Sequence, residues 1–132
     1  MFFYLTNAIN ALLVLCVAAA PLLPPGKTRA GGFWLRSLLG IGLGVVFAES
    51  GKYFSIWPGH PTFPSGHETL ALAAGTCLAV RNPRWLTLTL PLAALQAWAL
   101  VAGHFHQPVD VAGATMTGIL PPLACHWAKA GK

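Results

Sequence analysis

The stretch His60-Pro-Thr-Phe-Pro-Ser-Gly-His67 lies between two long apolar runs and concentrates polar and turn-forming residues. It contains two of the chain's five histidines, two prolines, one serine and one glycine. A second polar segment, His104-Phe-His-Gln-Pro-Val-Asp110, lies between two later apolar runs. Because each segment joins two apolar runs, we expect the two segments to meet at one end of a helical bundle and to form a common site there.

The composition of the chain favours a lipid bilayer as its solvent. Of its 132 residues, 55% are hydrophobic and only 8% are charged, whereas soluble domains carry about 25% charged residues. A chain this short would bury only a modest core in water, so this much apolar surface favours membrane insertion. The net charge of +5 is not arranged as a basic stripe with exposed aromatic residues, so we expect no nucleic-acid partner.

The apolar runs predict an all-α fold, a polytopic membrane helical bundle of about five transmembrane helices. A helix needs about 20 apolar residues to cross the hydrocarbon core, and the third run is short by this measure. Since no repeat, low-complexity tract or linker interrupts the pattern, we expect a single domain over residues 1–132. The predicted spans are residues 1–23, 33–57, 67–80, 85–103 and 109–127.

Three local features refine this prediction. Gly40 and Gly44 form a Gly-x-x-x-Gly pair, a spacing that lets another helix approach closely, either within the chain or in a homo-oligomer. Pro121-Pro122 should kink or shorten the fifth span. Ala18-Ala-Ala20 has the composition of a signal-peptidase site, but no basic residue precedes Lys27, so we expect the first span to be retained.

The distribution of charge predicts an orientation. Lysine and arginine collect on the cytoplasmic side of membrane proteins. The opposite side carries Lys52, all three acidic residues and four of the five histidines. We therefore expect the N-terminus outside and the C-terminus inside. Seven of the eight basic residues share the predicted cytoplasmic side: Lys27, Arg29, Arg36, Arg81, Arg84, Lys129 and Lys132.

The first polar segment contains a helix start that could also bind an anion. Ser65 followed by Glu68 matches a capping box, so one interpretation is simply a well-capped helix. The functional interpretation uses the same geometry, because free N–H groups at a helix N-terminus beside Gly66 attract an oxyanion. Ser65 would add a hydroxyl donor, and His67 in the first turn would donate a proton to a leaving oxygen.

The second polar segment contains the pattern His106-x-x-x-Asp110. Pro108 suits the first position of a helix, so Asp110 should lie in the first turn. One interpretation is that Asp110 only interacts with the helix dipole while His106 is a solvated loop residue. In the other interpretation, the carboxylate of Asp110 holds one ring nitrogen of His106, which fixes the tautomer and makes the other nitrogen nucleophilic.

Taken together, Pro64-Ser-Gly-His67, the later His106-x-x-x-Asp110 and the preceding Lys52 resemble the type-2 phosphatidic acid phosphatase superfamily. That family contains integral-membrane lipid phosphate phosphatases and the soluble vanadium haloperoxidases. The resemblance covers residues 52–110. It implies a hydrolase that removes the terminal phosphate of a lipid phosphate or pyrophosphate without metal or cofactor. It also implies an integral protein of a bacterial inner membrane, with its active site facing the periplasm or exterior.

The resemblance implies a catalytic set and a phosphate-binding set of residues. In the catalytic set, His106 would be the nucleophile that forms a phosphohistidine and Asp110 would orient it. His67 would protonate the leaving group. The phosphate-binding set would hold the charged oxygens and consists of Lys52, Ser65 and Gly66. His60 and His104 are further phosphate-binding candidates that this chain itself offers.

The chain departs from the family pattern at two arginine positions. The Arg-Pro of the pattern would fall at 59 and 60, where this chain has Gly59-His60. The Ser-Arg of the pattern would fall at 99 and 100, where it has Ala99-Leu100. His60 and His104 are therefore candidates to replace the missing cations.

The departures leave two alternatives open. One is a catalytically silent family member that binds an anionic lipid head group. The other is a membrane protein that binds a transition metal through its four outer histidines and Asp110. The chain also has one predicted span fewer than the six usual in the membrane branch of the family.

Overall fold

The structure is a computed structural model that describes residues 1–23 and 30–127. Within these residues there are helices and no strands, which confirms the all-α class. Short 3-10 turns continue the first helix over Ala20–Leu22 and precede the fourth over Pro83–Trp85. The α-helices are α1 (Phe2–Ala19), α2 (Ala30–Tyr53), α3 (Gly66–Arg81), α4 (Leu86–Ala102) and α5 (Pro108–Trp127).

Three helical segments are long and apolar enough to cross a membrane: Phe2–Leu22, Ala30–Tyr53 and Pro83–Ala102. Large apolar side chains such as Leu15 and Leu38 are exposed on the outer surfaces of α1 and α2, as expected of lipid-facing positions. The third helix has 16 residues, fewer than the about 20 that a full span requires. The five predicted helices are therefore present, and three of them meet the criterion for a span.

The third helix is the centre of the bundle, because it packs against each of the other four helices. Its inner positions carry small residues, and Ala71, Ala73 and Ala74 are fully buried. A side chain at Gly75 would lie 3.2 Å from Thr89 of α4, so glycine permits that close approach. The N-terminus of α3 is consequently surrounded by the ends of its neighbours, which places it at the middle of one face of the bundle.

The Gly40 and Gly44 pair packs against α5 of the same chain. A side chain at Gly40 would lie 2.7 Å from the Cα atom of Pro122, and one at Gly44 would lie 2.5 Å from the carbonyl oxygen of Thr117. The predicted close helix approach is therefore confirmed, and it is internal. Since α5 covers this face, a partner chain would have to use another surface of the bundle.

Of the two expected effects of the prolines, a kink or a shortening, the shortening is wrong, because α5 continues through Pro121 and Pro122 as far as Trp127. The kink stays a prediction. Pro121 has no N–H to donate to the carbonyl of Thr117, which is the carbonyl that lies against Gly44. Both prolines are buried. Pro122 packs against Gly40 of α2.

The two ends of the bundle differ in charge. Lys52, Glu49 and the start of α5 lie at the end that carries both polar segments, because α2 runs toward that end and α5 runs away from it. Four basic residues used in the orientation argument, Lys27, Arg29, Lys129 and Lys132, lie outside the described residues. The remaining three, Arg36, Arg81 and Arg84, lie at the opposite end.

Candidate active site

The structure brings the two polar segments together at one end of the bundle. The backbone N–H of Ser65 donates to the carbonyl oxygen of Asp110 at 2.9 Å, which ties the start of α3 to the first turn of α5. The hydroxyl of Thr62 donates to Oδ2 of Asp110 at 2.6 Å, a second link between residues 48 positions apart. The helix starts of α3 and α5 are therefore held in one fixed arrangement.

The start of α3 is capped as expected, but only on one side. The hydroxyl oxygen of Ser65 accepts a hydrogen bond from the backbone N–H of Glu68 at 3.3 Å. A complete capping box would also have the Glu68 carboxylate accept from the Ser65 N–H. That N–H instead donates to Asp110, and Oε2 of the buried Glu68 has no hydrogen-bond partner among the described residues. The predicted box is thus half formed, because a tertiary contact takes its second donor.

The carboxylate of Asp110 is fully buried and lies between two imidazoles. Its Oδ2 accepts from the hydroxyl of Thr62 at 2.6 Å and from the backbone N–H of Gln107 at 2.9 Å. The Nδ1 atom of His106 lies 3.5 Å from Oδ2, and the Nδ1 atom of His60 lies 3.6 Å from Oδ1. Both distances exceed the usual 2.7–3.2 Å of an N–H···O hydrogen bond.

Because these contacts are long, three buried polar atoms make no hydrogen bond to any described residue. They are Nδ1 of His60, Nδ1 of His106 and Oδ1 of Asp110. Buried polar atoms without partners are rare and costly, so each one needs an explanation. A closure of about 0.5 Å would bring both imidazoles into hydrogen-bond range of the carboxylate. Catalytic hydrogen bonds are often long in the free enzyme and shorten when substrate binds.

Burial and neighbouring charges favour the neutral form of His106. Burial lowers the pKa of His106, the neighbouring Asp110 carboxylate opposes that shift, and the positive charges of Lys52 and His67 lower the pKa further. The net result is a pKa below the usual value for histidine. A neutral imidazole with Nδ1 toward a carboxylate is the form that can attack an electrophile through Nε2.

Lys52 forms an ion pair beside the start of α3. Its Nζ atom lies 2.6 Å from Oε1 of Glu49, three residues earlier on the same helix. A side chain at Gly66 would lie 2.7 Å from Oε1 of Glu49 and 3.2 Å from Nζ of Lys52. Glycine at this position therefore lets the ion pair reach the helix N-terminus, where a carboxylate is favoured by the helix dipole.

A cavity of about 270 Å³ opens between α1, α2 and α3 at this end of the bundle. Neither His106 nor Asp110 lines it, although His106 is close enough for Lys52 and His67 to affect its pKa. The lining combines amide, charged, imidazole and apolar groups: Asn7, Asn10, Val45, Glu49, Lys52, Gly66, His67 and Leu70.

The backbone of His67 is held by a polar side chain that sequence reasoning missed. Gln96 is fully buried, and its amide nitrogen donates to the carbonyl oxygen of His67 at 2.6 Å and to Oδ1 of Asn10 at 3.2 Å. This contact joins α1, α3 and α4 at the level of the site. The sequence feature that could have revealed this contact is a glutamine inside an apolar run, because polar residues at membrane depth are costly unless they pair.

Of the two expected replacement cations, His60 lies beside Asp110, whereas His104 of the second polar segment has no contact with that carboxylate. His104 is exposed with φ 58°, and its ring makes no hydrogen bond to a described residue. Ala99 and Leu100, at the family's Ser-Arg positions, are buried in the bundle. Among the described lysines and arginines, Lys52 alone lies at this end. The phosphate-binding roles of His60 and His104 remain predictions.

Comparison with known families identifies the class of protein. Residues 43–131, more than half of the chain, match the family model of the PAP2 superfamily. The chain therefore belongs to the PAP2 superfamily, whose members are generally phosphatases. The match includes Lys52 and both polar segments, so the resemblance drawn from those residues is confirmed. No curated protein and no solved structure matches the chain.

Proposed function

We propose that this protein is a membrane phosphatase that removes the terminal phosphate from a lipid phosphate or pyrophosphate through a phosphohistidine intermediate. Its family supports phosphatase chemistry, and its long apolar helices support a substrate that resides in the bilayer. The observation that carries the proposal is the buried carboxylate of Asp110. It faces His106, and its backbone is bonded to the start of α3.

In the first step, Nε2 of neutral His106 attacks the phosphorus atom of the terminal phosphate. The P–N bond forms while the bond from phosphorus to the leaving oxygen breaks. His67 donates a proton to that oxygen, which leaves as an alcohol or as a lipid monophosphate. The Asp110 carboxylate stabilises the cationic ring of the phosphohistidine, because it lies on the Nδ1 side of the imidazole.

In the second step, water attacks the phosphorus atom of the phosphohistidine. His67, now neutral, takes one proton from that water, the P–N bond breaks and inorganic phosphate leaves. The electron pair of the P–N bond returns to Nε2 of His106, so the free enzyme is restored.

The phosphate oxygens would bind at the start of α3. Ser65 supplies its hydroxyl, the backbone of Gly66 supplies an N–H donor, and Lys52 supplies a positive charge. A bound phosphate would take the place of the Glu49 carboxylate beside Lys52. Because phosphoryl transfer depends on stabilising charge and this end has one described lysine and no described arginine, we expect slow turnover.

The proposal places the site at the extracytoplasmic face of a bacterial inner membrane. Three described arginines lie at the opposite end of the bundle, which is the end expected to face the cytoplasm. The N-terminus lies at the same end as the site, because Phe3 packs against Phe105 in the loop after α4.

The test is phosphate release from a panel of lipid phosphates and pyrophosphates in detergent that contains a chelator. We expect vanadate to inhibit release and His106→Ala to abolish it, together with the acid-labile phosphoenzyme seen after rapid quenching. His126→Ala is the matched control, because His126 lies at the other end, where its Nε2 is 3.3 Å from the hydroxyl of Ser37. Release that survives His106→Ala would overturn the proposal.

Two observations favour a catalytically silent family member as the second candidate. The carboxylate of Glu49 already reaches the start of α3 and pairs with Lys52, and the motif arginines are absent. Such a protein would bind phosphatidic acid without releasing phosphate from it.

By contrast, no group of three histidine, cysteine, aspartate or glutamate side chains among residues 1–23 and 30–127 could hold a metal, so geometry lends the metal-binding alternative no support.

A further inference from the structure

A second polar cavity lies at the end of the bundle opposite the candidate active site. It has a volume of about 330 Å³ and opens where the end of α1, the end of α3 and the start of α4 meet. It shares no residue with the site around Asp110 and His67. The lining residues are Ala20, Leu23, Arg81, Asn82, Arg84, Trp85, Thr87 and Leu88.

The polar wall of this cavity is a turn whose shape is set by its own hydrogen bonds. Oδ1 of Asn82 accepts from the backbone N–H of Arg84 at 3.0 Å, and the hydroxyl of Thr87 donates to the carbonyl of Arg84 at 2.8 Å. These two hydrogen bonds therefore fix the backbone of Arg84 through its N–H and its carbonyl. Since the oxygen of Asn82 is engaged, its amide nitrogen is the group that can donate to a ligand.

The second guanidinium of the cavity is positioned by an aromatic ring. Arg81 lies over the ring of Phe33, with 5.4 Å between its guanidinium carbon and the ring centroid. A cation–π contact restrains the side chain without removing its charge. We therefore assign the donors for a ligand to Arg84 and Asn82, and Arg81 forms part of the cavity wall.

The opposite wall of the cavity is apolar and accessible from the lipid-facing surface. Leu23 and Leu88 are exposed at 50% and 38%, and both line the cavity. Trp85, at the turn before α4, also lines it. Tryptophan is enriched where the hydrocarbon meets the head groups. The cavity therefore presents a cationic wall at head-group depth beside an apolar wall.

No acidic side chain of the chain lies at this end of the bundle. The three acids are Glu49, Glu68 and Asp110, which are near the end of α2, the start of α3 and the start of α5. Glu68 and Arg81 are 13 residues apart on one helix, a separation of roughly 20 Å. Among residues 1–23 and 30–127, no carboxylate side chain therefore lies near the cavity.

We propose that this cavity binds the phosphate group of an anionic phospholipid from the membrane leaflet at this end of the bundle. Guanidinium groups bind phosphate oxygens with two parallel hydrogen bonds, and basic pockets between membrane helices suit phospholipid head groups. The acyl chains would lie along Leu23 and Leu88. No histidine or carboxylate lines the cavity, so the bound lipid is a ligand and not a second substrate. The inference does not depend on the phosphatase activity.

The experiment measures binding of phosphatidylglycerol to the purified protein in phosphatidylcholine nanodiscs. Thermal unfolding and native mass spectrometry would report the stability and the number of retained lipids. Arg84→Gln should weaken apparent affinity about tenfold, since hydrogen bonds to charged groups are among the stronger ones. Arg36→Gln is the matched control: it removes one arginine at the same end without altering the cavity lining. We expect its affinity to equal that of the wild type.

Three results would overturn this proposal. Equal losses in Arg84→Gln and Arg36→Gln would show that only the general positive charge of this end attracts the lipid. Competition by soluble glycerol phosphate or inorganic phosphate at the same affinity as phosphatidylglycerol would assign the cavity to a free phosphate. Arg84→Lys is a second variant in case Arg84→Gln misfolds. It keeps the positive charge but loses the bidentate guanidinium donor. Wild-type affinity in both Arg84 variants would also reject the site.

Discussion

The two halves of the candidate active site differ in how tightly the fold holds them. The Asp110 side chain has no exposed area and that of His106 is 9% exposed, whereas Lys52 and Glu49 are exposed at 26% and 58%. The first half is tied down by backbone and hydroxyl hydrogen bonds, and the second is an ion pair near the surface. The carboxylate that would orient the nucleophile is therefore held in place in advance, whereas Lys52 must exchange the Glu49 carboxylate for a phosphate.

This difference predicts that substitutions in the buried half should reduce kcat and that substitutions in the exposed half should mainly change KM. An exposed ion pair contributes about 0–1 kcal/mol, so a phosphate can displace Glu49 at little cost. Loss of a buried carboxylate that orients a nucleophile is far more serious.

The largest effect in this comparison is expected for Asp110→Asn. The amide keeps the size of the side chain but loses its charge, so His106 is no longer held as the required tautomer. We expect kcat to fall about 10²–10⁴-fold with little change in KM. Steady-state phosphate release measures both constants, and thermal unfolding checks that the variant is folded. A stable variant with wild-type kcat would contradict the role of the carboxylate.

Gln96→Leu should have an intermediate effect. The leucine removes the donor to the His67 carbonyl and leaves Oδ1 of Asn10 without it, while apolar packing partly compensates in stability. We expect kcat to fall roughly tenfold because the first turn of α3 loses an anchor, since small misplacements cost rate. Gln96→Met, which keeps most of the length but has no donor, should show the same loss.

The control for this prediction is Thr89→Val, which changes another buried polar residue of α4 that packs against Gly75. If Thr89→Val lowers kcat as much as Gln96→Leu does, the effect of Gln96 comes from general packing and not from the start of α3.

A smaller effect is expected for Glu49→Gln in the exposed half. Removing the carboxylate releases Lys52 for the phosphate, so KM should fall about two- to five-fold with kcat unchanged. Lys52→Gln should raise KM. An increase of KM in Glu49→Gln would instead indicate that the carboxylate holds Lys52 in its working position.

The smallest effect is a shift in pH dependence that separates the two halves. Only neutral His106 can attack, so activity should fall as the pH drops through its pKa, and burial places that midpoint below the usual value for histidine. Asp110 raises the pKa of His106, so Asp110→Asn should move the acid limb of kcat/KM to lower pH. Lys52 lowers that pKa, so Lys52→Gln should move the limb to higher pH. Shifts in the same direction would contradict this electrostatic arrangement.

The amino-acid pattern alone was sufficient to predict the helices, the cap that Ser65 forms on α3 and the family to which the chain belongs. These features depend on near neighbours in sequence: apolar runs predict helices, and residues three apart predict a cap. The Lys52–Glu49 ion pair was predictable for the same reason, because its partners are three residues apart on one helix.

The tertiary structure decided which long-range partners the polar groups have. It placed His60 beside Asp110, gave Thr62 a hydrogen bond to that carboxylate, and left the capping box of α3 half formed. It also packed the glycine face of α2 on α5 and let two prolines remain inside a helix. Such contacts join residues separated by tens of positions, and their geometry depends on how whole helices pack, which no local spacing encodes.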